Sequence, residues 1–243
     1  MSVASDKFEK DIADAINSIP GYKAEQGRDV KYSDVKVTSN SGVTTWVEVK
    51  MSHSDNLSNP RVFYMNKKWQ TTYTTAAAQE TIKLLNNSLQ ARTFITNISK
   101  FTGIPEDVII IGTNKSHLKM PGCVPLRAMK EYFSQPAVNR YIAADQNYNI
   151  GALVTQHYLT GKAAPATYLQ AGDDFYMIGK VNPLHLSASI PSLKGTGDFK
   201  VRVSTRTEFY EVQAEIKIKE FDPKNSPYSV KAGTNKKNPF VDK

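Results

Sequence analysis

Apolar residues recur at helical spacing near the start of the chain. Phe8, Ile12, Ala15, Ile16 and Ile19 fall on one stripe, which predicts a helix over 6–19 that Pro20-Gly21 terminates. Tyr22 to about Gln26 reads as a short strand ending at Gly27. The period then changes to two. Asp34-Val35-Lys36-Val37-Thr38 alternates, Ser39-Asn40-Ser41-Gly42 has turn chemistry, and Val43 to Met51 alternates again. This predicts a β-hairpin in which Val43, Thr45, Val47, Val49 and Met51 share one face. Thr44, Trp46, Glu48 and Lys50 share the other.

Residues 52–62 read as a polar loop. Ala78, Ile82, Leu85 and Leu89 give a helical face, and Ile95, Ile98 and Phe101 continue it or form a second helix. After the break at Gly103-Ile104-Pro105, Asp107 to Gly112 reads as a buried strand. The expected order to this point is helix, three strands, helix, strand, an α/β arrangement. Residues 124–143 read as helical. The region 151–220 reads as β-rich, with strands at 175–181, 199–203 and 210–221. From Asp222 the chain is polar and rich in Pro, Asn and Lys, which predicts a flexible basic tail. The expected organisation is a core over 1–120, an α/β elaboration over 121–221 and a tail over 222–243.

Composition narrows the function classes. The formal net charge is +8 over 243 residues, a balance that favours polyanionic partners and nucleic acid above all. Cys123 is the single cysteine, so no intrachain disulfide forms and a reducing, intracellular setting is expected, the cytoplasm, or a host's cytoplasm for a viral chain. The N-terminus carries no apolar core of signal-peptide length, and the longest strongly apolar run, Val108 to Ile111, is too short to span a bilayer. No membrane association is expected. His53, His117, His157 and His185 are scattered without zinc-ligand spacing, and the chain has neither a P-loop nor a nucleophile elbow.

Candidate chemistry concentrates on the hairpin. With a loop at Asn40-Ser41-Gly42, Thr38 pairs with Thr44 and Asp34 lies opposite Glu48. Directly opposed residues have Cβ atoms about 4.5–5.5 Å apart. Two carboxylates at that spacing can grip one hard cation such as Mg²⁺, whose oxygen ligands sit at about 2.0–2.1 Å. Lys50, two residues on, points to the same face as Glu48. It can orient or help deprotonate an attacking water and offset charge on a phosphate. A slip of one residue would put Asp34 and Glu48 on opposite faces. The plain alternative is a solvated strand face with an ordinary charge pattern.

The arrangement Ser33-Asp34 followed by Glu48-Val49-Lys50 on consecutive strands resembles the PD-(D/E)XK, or restriction-endonuclease-like, nuclease superfamily. Ser33 stands where the family usually has proline. The resemblance covers roughly residues 6–112 and implies a restriction-endonuclease-like core of helix, three-strand meander, helix and strand, with a β-rich C-terminal elaboration. It implies a metal-dependent deoxyribonuclease, an endonuclease using Mg²⁺ (with Mn²⁺ as substitute), ligated by Asp34, Glu48 and the Val49 carbonyl. It further implies an assisting acidic residue on the first helix, which maps to Glu9; the alternative for Glu9 is a capping-box partner of Asp6. DNA is the implied partner. Many relatives act as homodimers, yet no dimer face is legible here. Lys67, Lys68, Trp69 and Tyr73 mix bases and aromatics and are candidates to hold phosphates and stack on a base. A non-catalytic nucleic-acid-binding or assembly protein retaining the nuclease fold is the alternative function. Asp198 with Glu215-Ile216-Lys217 repeats the Asp…Glu-x-Lys pattern, but its turn lacks Gly, Asn and Asp and too little chain follows for the core, so it reads as a solvated face.

Overall fold

The apolar stripe of the first helix finds its partner in the inward face of the predicted hairpin. The computed structural model describes residues 3–27, 33–53, 56–149, 151–159 and 165–242. In chain order these form α1 (Val3–Asn17), β1 (Tyr22–Gln26), β2 (Val35–Ser39), β3 (Thr44–Lys50), β4 (Asn56–Ser58), β5 (Arg61–Met65) and β6 (Lys68–Gln70). There follow α2 (Ala76–Asn87), α3 (Leu89–Thr102), α4 (Leu126–Tyr132), β7 (Tyr141–Asn149) and α5 (Gly151–Leu159). The chain closes with β8 (Ala166–Ala171), β9 (Asp174–Met177), β10 (Lys194–Thr205) and β11 (Tyr210–Asp222). Two compact units result, one of Met1–Asp55, Asn149–Thr196 and Ile218–Lys243, the other of Asn56–Tyr148 and Gly197–Lys217.

The first unit holds a five-stranded sheet in the order β1-β2-β3-β8-β9. β1, β2 and β3 form an antiparallel meander, and β8 joins β3 in parallel. A parallel neighbour needs a crossover connection, and here the chain between β3 and β8 contains the whole of residues 56–148. Ile12, Ala13 and Ile16 of α1 pack on Ala24, Val35, Val37, Val47 and Val49, so α1 covers one face of the meander. Burying each isoleucine fully is worth about 1.5–3 kcal/mol. Asn17 at the end of α1 donates to the Ala24 carbonyl at 2.9 Å and accepts the Ala24 N–H at 2.7 Å, pairing the exposed edge of β1.

The second unit holds strands in the order β6-β5-β11-β10-β7, with β4 also on β11. Ser88 separates α2 from α3; its hydroxyl accepts the Ala91 N–H and its own N–H donates to the Leu85 carbonyl. Gly103 ends α3 in the left-handed region at φ 72°.

Several expectations are corrected here. Residues 107–112 form no strand: Ile110 and Ile111 make isolated bridges to Cys123 and Tyr64 within the second unit. The helix and parallel strand that complete the first sheet are α5 and β8, not 76–101 and 107–112. The expected loop 52–62 contains β4 and the start of β5, with 54 and 55 outside the described residues. The supposed flexible tail is packed: Tyr228, Val230 and Phe240 lie in the core of the first unit, the Tyr22 and Phe240 rings meeting edge to face at 5.0 Å. Polar composition misled here because three spaced apolar residues suffice to anchor a segment without regular structure. The boundaries at 120 and 221 therefore do not describe the units. Among the described residues no helix is long and apolar enough to cross a membrane.

Candidate active site

The hairpin register positions the site. Thr38 pairs with Thr44 and Val35 with Val47, and Asp34 stands directly before the last pair, at the end of the paired strands. Gly42 makes the turn at φ 81°, its N–H donating to the Ser39 carbonyl at 2.9 Å. Val47 and Val49 face α1, and strand alternation therefore turns Glu48 and Lys50 to the opposite face. β3 is the middle strand of five, and α5 packs on its neighbour β8. Glu48 is consequently buried, with 3 % of its side chain exposed against 24 % for Lys50, so the lysine is the part of the pair that solvent reaches.

Three bonds fix the groups. The Lys50 ammonium donates to Glu48 Oε1 at 2.7 Å. The Val49 N–H donates to Asp34 Oδ2 at 2.7 Å. The Gly27 N–H donates to the Asp34 carbonyl at 2.7 Å, and a Cβ at Gly27 would stand 2.5 Å from the Ser33 carbonyl oxygen, so glycine permits the close approach that places Asp34. In a strand the N–H and C=O of one residue point the same way. The Val49 carbonyl is thus turned toward the edge where Asp34 stands.

Tyr158 of α5 is the residue that sequence reasoning missed. It is fully buried, hydrogen-bonds Lys50 and feels the charges of Glu48 and Asp34. Burial drives its phenol pKa far up against the opposing effect of Lys50, so it stays a neutral hydroxyl. For Lys50, burial pulls the pKa down, but the Glu48, Tyr158 and Asp34 charges and the Glu48 hydrogen bond outweigh it and leave the ammonium well above its usual range. The site holds a charged lysine between carboxylates and a neutral tyrosine. No local signal marked Tyr158, because its segment reads as an ordinary apolar run.

Glu9 is buried in α1, where Oε1 accepts from Ser5 at 3.1 Å and Oε2 from Gln26 at 3.0 Å. α1 begins at Val3, so Glu9 is no capping-box partner. Nor does it join Asp34 and Glu48 in a three-carboxylate set, since no group of three or more His, Cys, Asp or Glu that could hold a metal occurs among the described residues. Its observed role is to tie α1 to β1.

The candidate DNA contacts lie in the second unit. Trp69 is 2 % exposed, packs against Tyr64 at 5.4 Å, and cannot stack on a base. Lys67 and Lys68 are exposed at the β5–β6 turn, where Asn66 and Lys67 adopt φ 53° and 60°, and Tyr73 is partly exposed. In the second Asp…Glu-x-Lys pattern, Glu215 pairs with Arg202 at 2.9 Å and Asp198 with Lys200 at 3.4 Å, an ordinary charged strand face.

No protein-family description matches the chain, and no curated protein matches it in sequence. Among solved structures the chain is similar to HhaI endonuclease in complex with DNA, at 10 % identity and a TM-score of 0.38, over 93 % of this chain and 88 % of that one. A likeness of that size does not establish a common fold.

Proposed function

We propose that the protein is a metal-dependent deoxyribonuclease, an endonuclease that hydrolyses DNA phosphodiester bonds. The observation that carries this reading is the gathering of Asp34, Glu48 and Lys50 at the buried Tyr158, with Lys50 bonded to Glu48. The topology of the first unit adds support: a helix, an antiparallel meander and, after a second helix, a strand parallel to β3 is the order that the PD-(D/E)XK resemblance implies. The net charge of +8 suits a polyanionic substrate.

The donor set fits Mg²⁺, with Mn²⁺ as substitute. Asp34 and Glu48 offer two carboxylates and Val49 a carbonyl at the same edge, an all-oxygen set small enough to leave positions for water and a phosphate oxygen. When bound, such an ion supplies Lewis-acid polarisation of the phosphoryl oxygen and lowers the pKa of a bound water. The chain's own residues do the rest. Asp34 and Glu48 hold the ion. Lys50, charged and more exposed than Glu48, offsets the charge that grows on the phosphate. Tyr158 fixes the Lys50 ammonium, and the surrounding burial strengthens each of these interactions. Exposed Lys67 and Lys68 in the second unit add contacts to the DNA backbone.

Nicking of supercoiled plasmid, with Mg²⁺, Mn²⁺ or EDTA, tests the reading when the parent is compared with Lys50→Ala. Metal-dependent cutting lost in the variant is the expected result. Absence of cutting on plasmid, linear, branched and single-stranded DNA would replace the reading with a nucleic-acid-binding or assembly protein. Cutting that survives the substitution would move the chemistry away from this hairpin.

A further inference from the structure

A second polar cluster stands two strands along the same sheet. Asp174 of β9 pairs with Ala171 of β8, and Ala171 with Lys50 of β3, so Asp174 lies on the Lys50 face of the sheet. Two strand spacings of about 4.8 Å put these positions roughly 10 Å apart. Asp174 is 5 % exposed, and its carboxylate gathers three partners. The Ser226 N–H donates to Oδ1 at 2.5 Å, the Lys236 ammonium pairs with the same oxygen, and His53 Nε2 stands 3.0 Å from Oδ2. The His53 approach is off line for a hydrogen bond, so the ring lies beside the carboxylate without a directed bond to it. Its imidazole also stacks on Phe221, with centroids 4.3 Å apart and planes at 24°. A ring held by a carboxylate at one edge and an aromatic on one face has little freedom left.

His53 lines an open cavity of about 550 Å³ together with Lys219, Glu220, Phe221 and Lys224. Two lysines and an imidazole there face a single carboxylate. The charge of Asp174 is offset by its ion pair with the Lys236 ammonium, so it opposes an anion in the cavity less than a bare carboxylate would. Phe221 is buried, with its ring covered by His53 and Tyr176, at 4.3 and 5.3 Å. Two ammonium groups beside an open cavity match the phosphate of a nucleotide.

We propose that this cavity is a phosphate subsite for the DNA strand. It would seat a backbone phosphate of the strand whose scissile bond is presented to Asp34, Glu48 and Lys50, beside Asp174 on the Lys50 face of the sheet. The placement of the scissile bond rests on the nuclease reading; the phosphate contact itself does not require cleavage.

Binding of a short fluorescein-labelled duplex to the full chain, measured by anisotropy in EDTA over a range of KCl concentrations, tests the subsite. Each lost phosphate contact lowers the slope of log K against log salt by about 0.9. Lys219→Gln/Lys224→Gln is expected to lower the slope by about that amount and weaken binding several-fold, while Lys10→Gln, on the helix that covers the other sheet face, leaves it unchanged. An unchanged slope in the double variant, an equal fall in the Lys10→Gln control, or a parent that does not bind DNA would overturn the subsite. A parent that binds with the expected slopes but cuts nothing with Mg²⁺ keeps the subsite and removes the nuclease reading. A parent that cuts, with the double variant retaining the full slope, does the reverse.

Discussion

Replacing Lys50 by methionine in metal-free protein isolates what the lysine does for Glu48. The two groups stand 2.7 Å apart, with 24 % and 3 % of their side chains exposed. Their gross attraction is about 6 kcal/mol at an effective dielectric constant of about 20, before the desolvation of both is subtracted. Removing one member of a buried pair costs about 3–5 kcal/mol, because the other charge is left uncompensated. Lys50→Met should therefore destabilise the first unit by about 3 kcal/mol at pH 8, and Lys50→Met/Glu48→Gln by less, since no charge is then stranded. The pH dependence has a definite sign. The Lys50 pKa is raised, so its contribution in the parent is full below the unfolded value of about 10.4 and is lost only above it, as pH rises through the folded value. No Lys50-linked change is expected in the parent between about pH 6 and 9. In the variant the buried Glu48 carboxylate is left without its ammonium, and protonating it relieves that cost, so the deficit is expected to be greatest at pH 8 and to shrink toward pH 5. The two tryptophans divide between the units, Trp46 in the first and Trp69 in the second. In a Trp69→Phe background, urea unfolding followed by emission reports on the first unit alone. A deficit below about 1 kcal/mol, a deficit independent of pH, or a double variant no better than the single one would refute the reasoning, since each contradicts the cost of a stranded buried charge.

Three further outcomes are expected. Tyr158→Phe removes the hydroxyl bonded to Lys50 and should slow plasmid nicking about tenfold, the equivalent of about 1.4 kcal/mol, with DNA affinity in EDTA unchanged; equal nicking rates would exclude a role in fixing the ammonium. Gly27→Ala forces a Cβ to within 2.5 Å of the Ser33 carbonyl oxygen and must shift the backbone that carries Asp34. It should cost about 1–3 kcal/mol in urea unfolding and depress nicking at limiting Mg²⁺ more than at saturating Mg²⁺. Phe240→Ala should cost about 3–5 kcal/mol, as for a buried aromatic, whereas a residue in a solvated tail would change stability by less than about 0.5 kcal/mol.

The parts of the fold legible in the sequence are those closed by short-range rules. α1 followed from its stripe, β1 from its bounding glycines, and the β2–β3 register from a turn with Gly42 at positive φ. Once that turn is placed, alternation decides which face Glu48 and Lys50 take, with no reference to the rest of the chain. What was not legible lies far away in sequence. Residues 166–171 read Ala-Thr-Tyr-Leu-Gln-Ala, a run with neither alternation nor a strong apolar core, and pairing with β3 on one side and β9 on the other makes it a strand. The apolar run at 108–111 read as a buried strand on composition, yet its bridges are isolated ones to Tyr64 and Cys123 in the other unit. Trp69 looked like a stacking platform because bases flank it; the alternation of a short hairpin strand instead turned it inward.

The local and the distant parts contribute different things to the site. The hairpin alone would supply the identities: two opposed carboxylates and a lysine on one face of a two-stranded ribbon. In that form the face would be hydrated, and the attraction of Glu48 for a cation or for Lys50 would be that of a surface pair, about 0–1 kcal/mol. β8 and α5 change the medium. By making β3 a central strand and setting Tyr158 against Lys50, they bury Glu48 and raise the cost of leaving its charge unmatched. The same carboxylate then favours whatever positive charge reaches it, the Lys50 ammonium in the metal-free protein and a divalent ion when one is present. The Gly172 N–H bonded to the Lys50 carbonyl at 2.8 Å fixes the point at which the strand leaves the sheet.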